Sequence, residues 1–348
     1  MSKVGFGIIG CGVIAPIHAD AIGRIPDAKL VAVSDVVEKN VKAMSEKYNA
    51  VPYSDYKEMI KRDDVHAVSL CVPSGMRLEI AEACAAAGKH ILSEKPLEVN
   101  SGRINKLIAA VDAAGVRLGC IFQYRYADGP MHIRRALDEG RFGKLVLGDA
   151  YIKWFRSQEY YDSGKWRGTR NLDGGGCLMN QGIHQIDMLL WFMGNAKSVM
   201  AQTALVGHTG IEVEDLACAM IKFENGAMGV VEGSTAIWPG HPARVEVHGT
   251  EGSAVIEDGE LAMWKFREER TEDATILAGI DKGATLGSGA SDPIKGLKSE
   301  GHRRQISDFV ESLVSGRPPK IDGREGRRAV ELIEAMYRSA DTGATVVL

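Results

Sequence analysis

An apolar run, Val4 to Ile9, ends in Gly10-Cys11-Gly12-Val13-Ile14-Ala15 and passes into a helical pattern through Ile14, Ile17, Ala21 and Ile22. Strand, glycine turn and helix in that order constrain this chain more than anything else in it. Gly10 permits the tight turn, and Gly12 lets a pyrophosphate approach the backbone. Val13 and Ile14 share the phosphate-facing turn, and Ala15 takes the third small position for close helix-to-strand packing. The next strand, Lys29 to Ser34, ends at Asp35, roughly 20 residues past the glycines, where a carboxylate reaches both ribose hydroxyls. Asp35 would repel a 2'-phosphate, which favours NAD(H) over NADP(H). It also suits a cap on a helix from Val36 to Tyr48, and both roles can hold together.

The alternation continues with a strand from Val65 to Cys71, a helix from Arg77 to Ala87, a strand at His90 to Ser93, a helix from Ser101 to Ala114 and a strand from Arg117 to Phe122. Parallel strands need crossovers, so the pattern predicts an α/β doubly wound parallel sheet that ends near Tyr124. The expected domains are therefore 1–124, binding the cofactor, and 125–348. Glu94-Lys95-Pro96 follows the strand at His90. Pro96 stops strand pairing, and Lys95 is left at the carboxyl edge where open sheets of this kind bind ligands. Pro73-Ser74-Gly75 breaks the chain at the same edge; Pro73 and Ser74 either touch the nucleotide or only start a helix. Glu94 also lies at the cofactor edge, although alternation turns it to the opposite strand face from Lys95.

At a net charge of −4 and a pI near 6.2 the chain has no field for nucleic acid or an anionic membrane. Six cysteines are scattered without a CxxC pair or zinc-like spacing, so reduced thiols, no metal site and a cytoplasmic setting are expected. The first residues lack a basic n-region, and the apolar run from Val4 to Ala15 is interrupted by glycines and too short to span a bilayer, so export is not expected.

After a helix from Gly129 to Glu139, strands are expected over 145–155, 198–206, 216–223, 227–237, 243–249, 253–257 and 261–266. Strands in succession imply an α+β domain with a large, mostly antiparallel sheet. One face covers helices and the other is offered to a partner subunit as a homodimer or homotetramer, or else to solvent. The glycine-rich stretch 271–298 either closes over a substrate or is simply a mobile loop. Helices over 301–315 and 323–340 finish the chain.

Asp173 to Asp187 forms a second constellation: glycines leading into a helix that would carry Asn180, His184 and Asp187 on one face. A neutral imidazole at His184 can take a hydroxyl proton near neutral pH, with Asp187 as its orienting partner or as a bridge between helices. Lys153, Trp154 and Arg156 on a strand, and Tyr160, Tyr161, Lys165, Trp166, Arg167 and Arg170 on the loop after it, mix flat apolar rings with cations. Such a set can hold a sugar ring and its hydroxyl, carboxylate or phosphate groups, or it can be a solvated loop with core tryptophans. Tyr124 and Arg125 at the domain junction are further candidates to line a substrate site.

The glycine fingerprint, Glu94-Lys95-Pro96 and the Asn180 to His184 element together resemble the glucose-fructose oxidoreductase, inositol dehydrogenase and rhizopine-catabolism (Gfo/Idh/MocA) family over essentially the whole chain. The resemblance implies a Rossmann domain followed by an open-faced sheet, NAD as cofactor, a small sugar or cyclitol substrate, and catalytic roles for Lys95 and His184. Asn180 stands where many members have aspartate and cannot accept a proton. Arg77 stands where a common form has histidine. The expected activity is hydride transfer between a secondary ring hydroxyl of a pyranose, glycoside or sugar acid and nicotinamide. The rival readings are a redox-neutral epimerase, lyase or glycosidase-type enzyme using bound NAD transiently, a nucleotide-sugar uronate 3-dehydrogenase, an inositol dehydrogenase, and a ligand sensor without catalysis.

Overall fold

The computed structural model describes residues 3–280 and 299–348. They fall into two compact units, Met1–Gln123 with Lys298–Arg327, and Tyr124–Leu297 with Arg328–Leu348.

In the first unit the strands are β1 (Val4–Ile9), β2 (Ala28–Ser34), β3 (Val51–Tyr53), β4 (Ala67–Leu70), β5 (His90–Ser93) and β6 (Leu118–Cys120). They form one sheet in the order β3-β2-β1-β4-β5-β6, and every pair is parallel. The doubly wound arrangement read from the alternation is therefore present. The order of the sheet reverses at β1 and β4, so the turns after these two strands lie side by side at the carboxyl edge. Strand β3 is absent from the sequence reading; three residues containing Pro52 carry no periodic signal. Beneath the sheet, Phe6, Ile8, Ala15, Ala19, Ile22 and Val33 pack with Ile306, Phe309 and Val310 from the helix Ser299–Ser315.

Those last three residues lie in a stretch, 299–327, that belongs to the first unit, beyond the 1–124 span expected in the sequence. The cause is the exposed edge of β6, whose unpaired backbone groups need partners. Gln305 supplies two, accepting from the Phe122 N–H at 3.0 Å and donating to the Cys120 carbonyl at 2.7 Å. Ile321 accepts the Cys120 N–H at 3.0 Å. Gly119 leaves room for the Phe309 ring, which an added Cβ would meet at 3.0 Å.

The second unit holds β7 (Leu145–Lys153), β8 (Ala196–Ala204), β9 (Leu216–Phe223), β10 (Met228–Ser234), β11 (Arg244–Gly249), β12 (Gly252–Glu257), β13 (Glu260–Phe266) and β14 (Val346–Val347). The sheet runs β13-β12-β11-β7-β10-β9-β8-β14 and is antiparallel except between β10 and β7. Burial alternates along β9: Ala217, Ala219, Ile221 and Phe223 point inward, while Cys218, Met220 and Lys222 point out. The helix Ile183–Met193 lies on the inner face, where Gly148 lets Met193 and Leu189 rest against β7. Only the two-residue β14 escapes the sequence reading of this sheet.

Within the glycine-rich stretch, Thr271–Ala278 is a helix, and 281–298 lies outside the described residues. Among the described residues no helix is long and apolar enough to cross a membrane. All six cysteines are free thiols, and Cys218 is the exposed one.

Candidate active site residues in each unit

The glycine turn of the first unit is built as its sequence suggests. Gly10 has φ +91°, and an added Cβ would stand 2.7 Å from the Cys71 carbonyl oxygen, so this position admits no side chain. Gly12 has nothing within 4 Å of an added Cβ, which leaves its backbone open to a ligand. Val13 is exposed, and Ile14 caps the helix Ala15–Gly23. Asp35, just past β2, ties this turn to its neighbour: one carboxylate oxygen accepts the Cys11 N–H at 2.6 Å and the other the Val37 N–H at 2.8 Å. These residues fit a dinucleotide, with an open backbone at Gly12 and a carboxylate at the end of the second strand.

Pro73 precedes a short 3-10 turn, Ser74–Met76, that leads into the helix Arg77–Ala86, and Ser74 is buried. Starting the helix is therefore one thing this segment does. Lys95 follows β5 and is partly buried. Its loop is held by a residue that the sequence reading noted only as a departure from the family pattern. Arg77 is buried, donates to the Val72 carbonyl at 3.0 and 3.1 Å, to the Glu94 carbonyl at 2.5 Å, and to the Pro96 carbonyl. One guanidinium thus joins the turns after β4 and β5 and flanks Lys95 on both sides. Glu94 turns inward. Its carboxylate is buried and bonded to His18 at 2.8 Å and to the Lys95 N–H at 3.1 Å, so the contacts described for it are internal rather than open to a cofactor.

In the second unit the helix expected to carry Asn180 and His184 together is broken. Cys177–Gln181 is a π-turn closed by Gly182 N–H on the Cys177 carbonyl at 2.8 Å, and the α-helix begins at Ile183. The cause is Glu214, which lies far off in sequence. Its carboxylate accepts the Gly176 and Leu178 N–H groups at 3.0 Å each and the Tyr337 hydroxyl at 2.9 Å. Gly176 has to be glycine here, because a Cβ would fall 1.8 Å from the Glu214 carbonyl oxygen. Burial pushes the Glu214 carboxyl above its usual range despite these donors.

Asn180 donates to Asp173, which also accepts the Gly168 N–H at 2.9 Å. His184 is buried, with the Tyr124 ring edge-on at 5.0 Å between centroids. Burial, and then Asp258, push the Tyr124 phenol up to about 12. Asp187 takes the bridging role: it pairs with Arg125 through two bonds of 2.6 and 2.7 Å, both groups buried, and the Arg125 guanidinium lies over the Trp191 ring. Arg125 is thereby held in a buried ion pair in the core of the unit.

Lys153 has a partner within the sheet. It shares a face of β7 with Asp149 and Tyr151 and pairs with Glu232 at 2.9 Å on the open side of the sheet. Ala150 and Ile152 point the other way, toward the helix that carries His184, so strand alternation sets Lys153 apart from that histidine. Trp166 and Arg167 behave differently. The Arg167 guanidinium sits between the Tyr160 ring at 4.3 Å and the Trp166 ring at 4.6 Å and donates to the Tyr160 hydroxyl at 2.7 Å. Gln181, which the sequence reading left out, donates to that hydroxyl at 2.9 Å and accepts from Arg156 at 3.1 Å. The aromatic loop and the π-turn are therefore one hydrogen-bonded body.

A parallel sheet in the order 3-2-1-4-5-6 with an open glycine turn defines a dinucleotide-binding protein of the Rossmann class, and the second unit adds an open-faced sheet. Residues 4–122 match the oxidoreductase family with an NAD-binding Rossmann fold, and residues 131–255 match the GFO/IDH/MocA C-terminal domain. The chain belongs to the Gfo/Idh/MocA oxidoreductase family. It is 28% identical to myo-inositol 2-dehydrogenase of Thermotoga maritima across 98% of each chain. It is 26% identical to D-glucoside 3-dehydrogenase of Escherichia coli across 100% of this chain and 98% of that one. Among solved structures, the WlbA dehydrogenase from Bordetella pertussis in complex with NADH and UDP-GlcNAcA is 30% identical, with a TM-score of 0.90 over 100% of this chain and 98% of that chain. The protein is thus an NAD-binding member of a family of sugar and polyol dehydrogenases.

Proposed function

We propose that this protein transfers a hydride between a secondary ring hydroxyl of a sugar and nicotinamide, with Lys95 and His184 as the acid and base groups and NAD preferred over NADP. The observation that carries the reading is the Lys95 loop, gripped by Arg77 at the carboxyl edge of a dinucleotide-binding sheet. Bound nicotinamide supplies a hydride acceptor; the protein must remove the hydroxyl proton as the carbon–oxygen double bond forms. Lys95 takes that proton as the neutral amine. His184, seated against Tyr124, accepts or returns the proton, and Asn180 hydrogen-bonds the hydroxyl without taking it. Gly10, Gly12, Val13, Ile14, Asp35, Pro73 and Ser74 hold the dinucleotide, and Asp35 at the end of β2 disfavours a 2'-phosphate.

Arg167 between two aromatic rings supports a narrower reading, an anionic sugar such as a nucleotide-linked uronate, in keeping with the ligand of the WlbA dehydrogenase. Met200, Met220 and Met228, exposed on the open sheet face, support a homodimer or homotetramer. Free thiols support a cytoplasmic setting. The test is a panel of myo-inositol, levoglucosan, a methyl glucoside and UDP-GlcNAcA with NAD and with NADP. Reduced nicotinamide should form with at least one, faster with NAD, and Lys95→Ala should abolish it; full turnover in that variant discards the assignment.

A further inference from the structure

Behind the Lys95 loop, and wholly within the first unit, lies a buried polar chain that the proposed chemistry does not use. Ser69 on β4, His18 on the helix after the glycine turn, Glu94 after β5 and His302 on the helix Ser299–Ser315 are each at most 6% exposed. Ser69 Oγ lies 2.6 Å from His18 Nδ1, and His18 Nε2 lies 2.8 Å from Glu94 Oε1. Glu94 Oε2 accepts the Lys95 N–H at 3.1 Å. His302 Nε2 stands 3.6 Å from Glu94 Oε1, with its ring edge-on to that of His18 at 5.4 Å.

The protonation states follow from burial and partners. Burial raises the Glu94 carboxyl, but His18 and His302 outweigh it and hold Glu94 well below its usual range. Burial also lowers His18, so a neutral imidazole faces a carboxylate. A neutral His18 must then carry its proton on Nε2, donating to Glu94, while the Ser69 hydroxyl donates to Nδ1. Serine, histidine and glutamate in sequence resemble a nucleophilic triad, but Ser69 is fully buried and points its only hydroxyl at the ring. Both Glu94 oxygens are already engaged by N–H donors, from His18 and Lys95, while His302 stands off at 3.6 Å and its Nδ1 is buried with no hydrogen-bond partner among the described residues.

We infer that His18, Glu94 and Ser69 are positioning residues for Lys95, fixing its peptide from the inside through the Lys95 N–H while Arg77 grips the flanking carbonyls. The inference rests on Lys95 being the acid/base group, yet the bond it names exists without any substrate. His18 also belongs to the helix that opens at the dinucleotide turn, so one buried residue serves both the cofactor segment and the lysine.

Two variants separate this from a merely structural role. Gln at position 18 places an amide nitrogen where Nε2 stands and keeps the donor to Glu94; Asn reaches only as far as Nδ1. Amide hydrogen exchange of Lys95 in the NAD-loaded protein should be about tenfold faster in His18→Asn, the loss expected for one buried hydrogen bond to a charged group, and restored in His18→Gln. With whichever sugar of the panel turns over, kcat should fall by about the same factor, with KM for NAD within about twofold. Unchanged Lys95 exchange in His18→Asn overturns the inference, as does a rise in KM for NAD at constant kcat. If His18→Asn fails to fold, Glu94→Leu gives the same two readouts. Full turnover by Lys95→Ala would instead defeat the functional reading and leave the exchange result to stand or fall by itself.

Discussion

At the scale of single residues, the two glycines of the first turn do different work. Gly10 is required by the fold, since its φ is +91° and a Cβ there meets the Cys71 carbonyl; Gly12 leaves open space. Gly12→Val should therefore leave the thermal midpoint nearly unchanged while weakening NAD binding by more than about tenfold, because the added methyls occupy the path of the pyrophosphate. Gly10→Ala should lose about 1–3 kcal/mol of stability from strain at that backbone conformation. Calorimetric NAD titration beside denaturant unfolding reads both, and equal effects on binding and stability at the two sites would contradict the distinction. Gly10, Gly12 and Asp35 were legible in the sequence because their geometry is local. The grip of Arg77 on the Lys95 loop was not, since its acceptors are carbonyls that any residue could provide.

Among elements, what the sequence missed was set from a distance. The break between Asn180 and His184 comes from Glu214, over 30 residues downstream, and no periodicity within 173–187 can report it. The face Lys153 takes was legible, since strand alternation alone puts it with Asp149 and Tyr151. The helix Thr271–Ala278 begins where Asp273 accepts from Arg141 at 2.8 and 2.7 Å, Trp264 at 2.7 Å and the Arg270 N–H at 2.7 Å. The Arg141 guanidinium, above the other donors, holds the Asp273 carboxyl well below the usual carboxylate range. Its folded value lies under its unfolded value, so the stability it contributes is present above about pH 4 and is lost as pH falls through the folded value. Asp273→Asn should thus destabilise the protein at neutral pH, and the gap from the parent should narrow steadily as pH falls from about 4 to about 2. A gap that stays constant in unfolding curves across that range would refute the role given to the pair.

For the molecule as a whole, each unit brings a separate part of the proposed chemistry. The first holds the glycine turn, Asp35 and the braced Lys95; the second holds His184 on Tyr124, Asn180 on Asp173 and the ring-stacked Arg167. Membership of the Gfo/Idh/MocA family was legible because three local motifs fall in order along one chain. The return of 299–327 to the first unit was not, because it depends on Gln305 finding the unpaired edge of β6. The most direct measurement is a single-turnover mixing experiment with NAD-loaded protein and the sugar that succeeds in the panel, following the absorbance of reduced nicotinamide while it is still bound. Lys95→Met should slow its appearance by at least about a hundredfold, the scale of a lost general base, with NAD affinity unchanged. An undiminished rate in that variant would contradict the account.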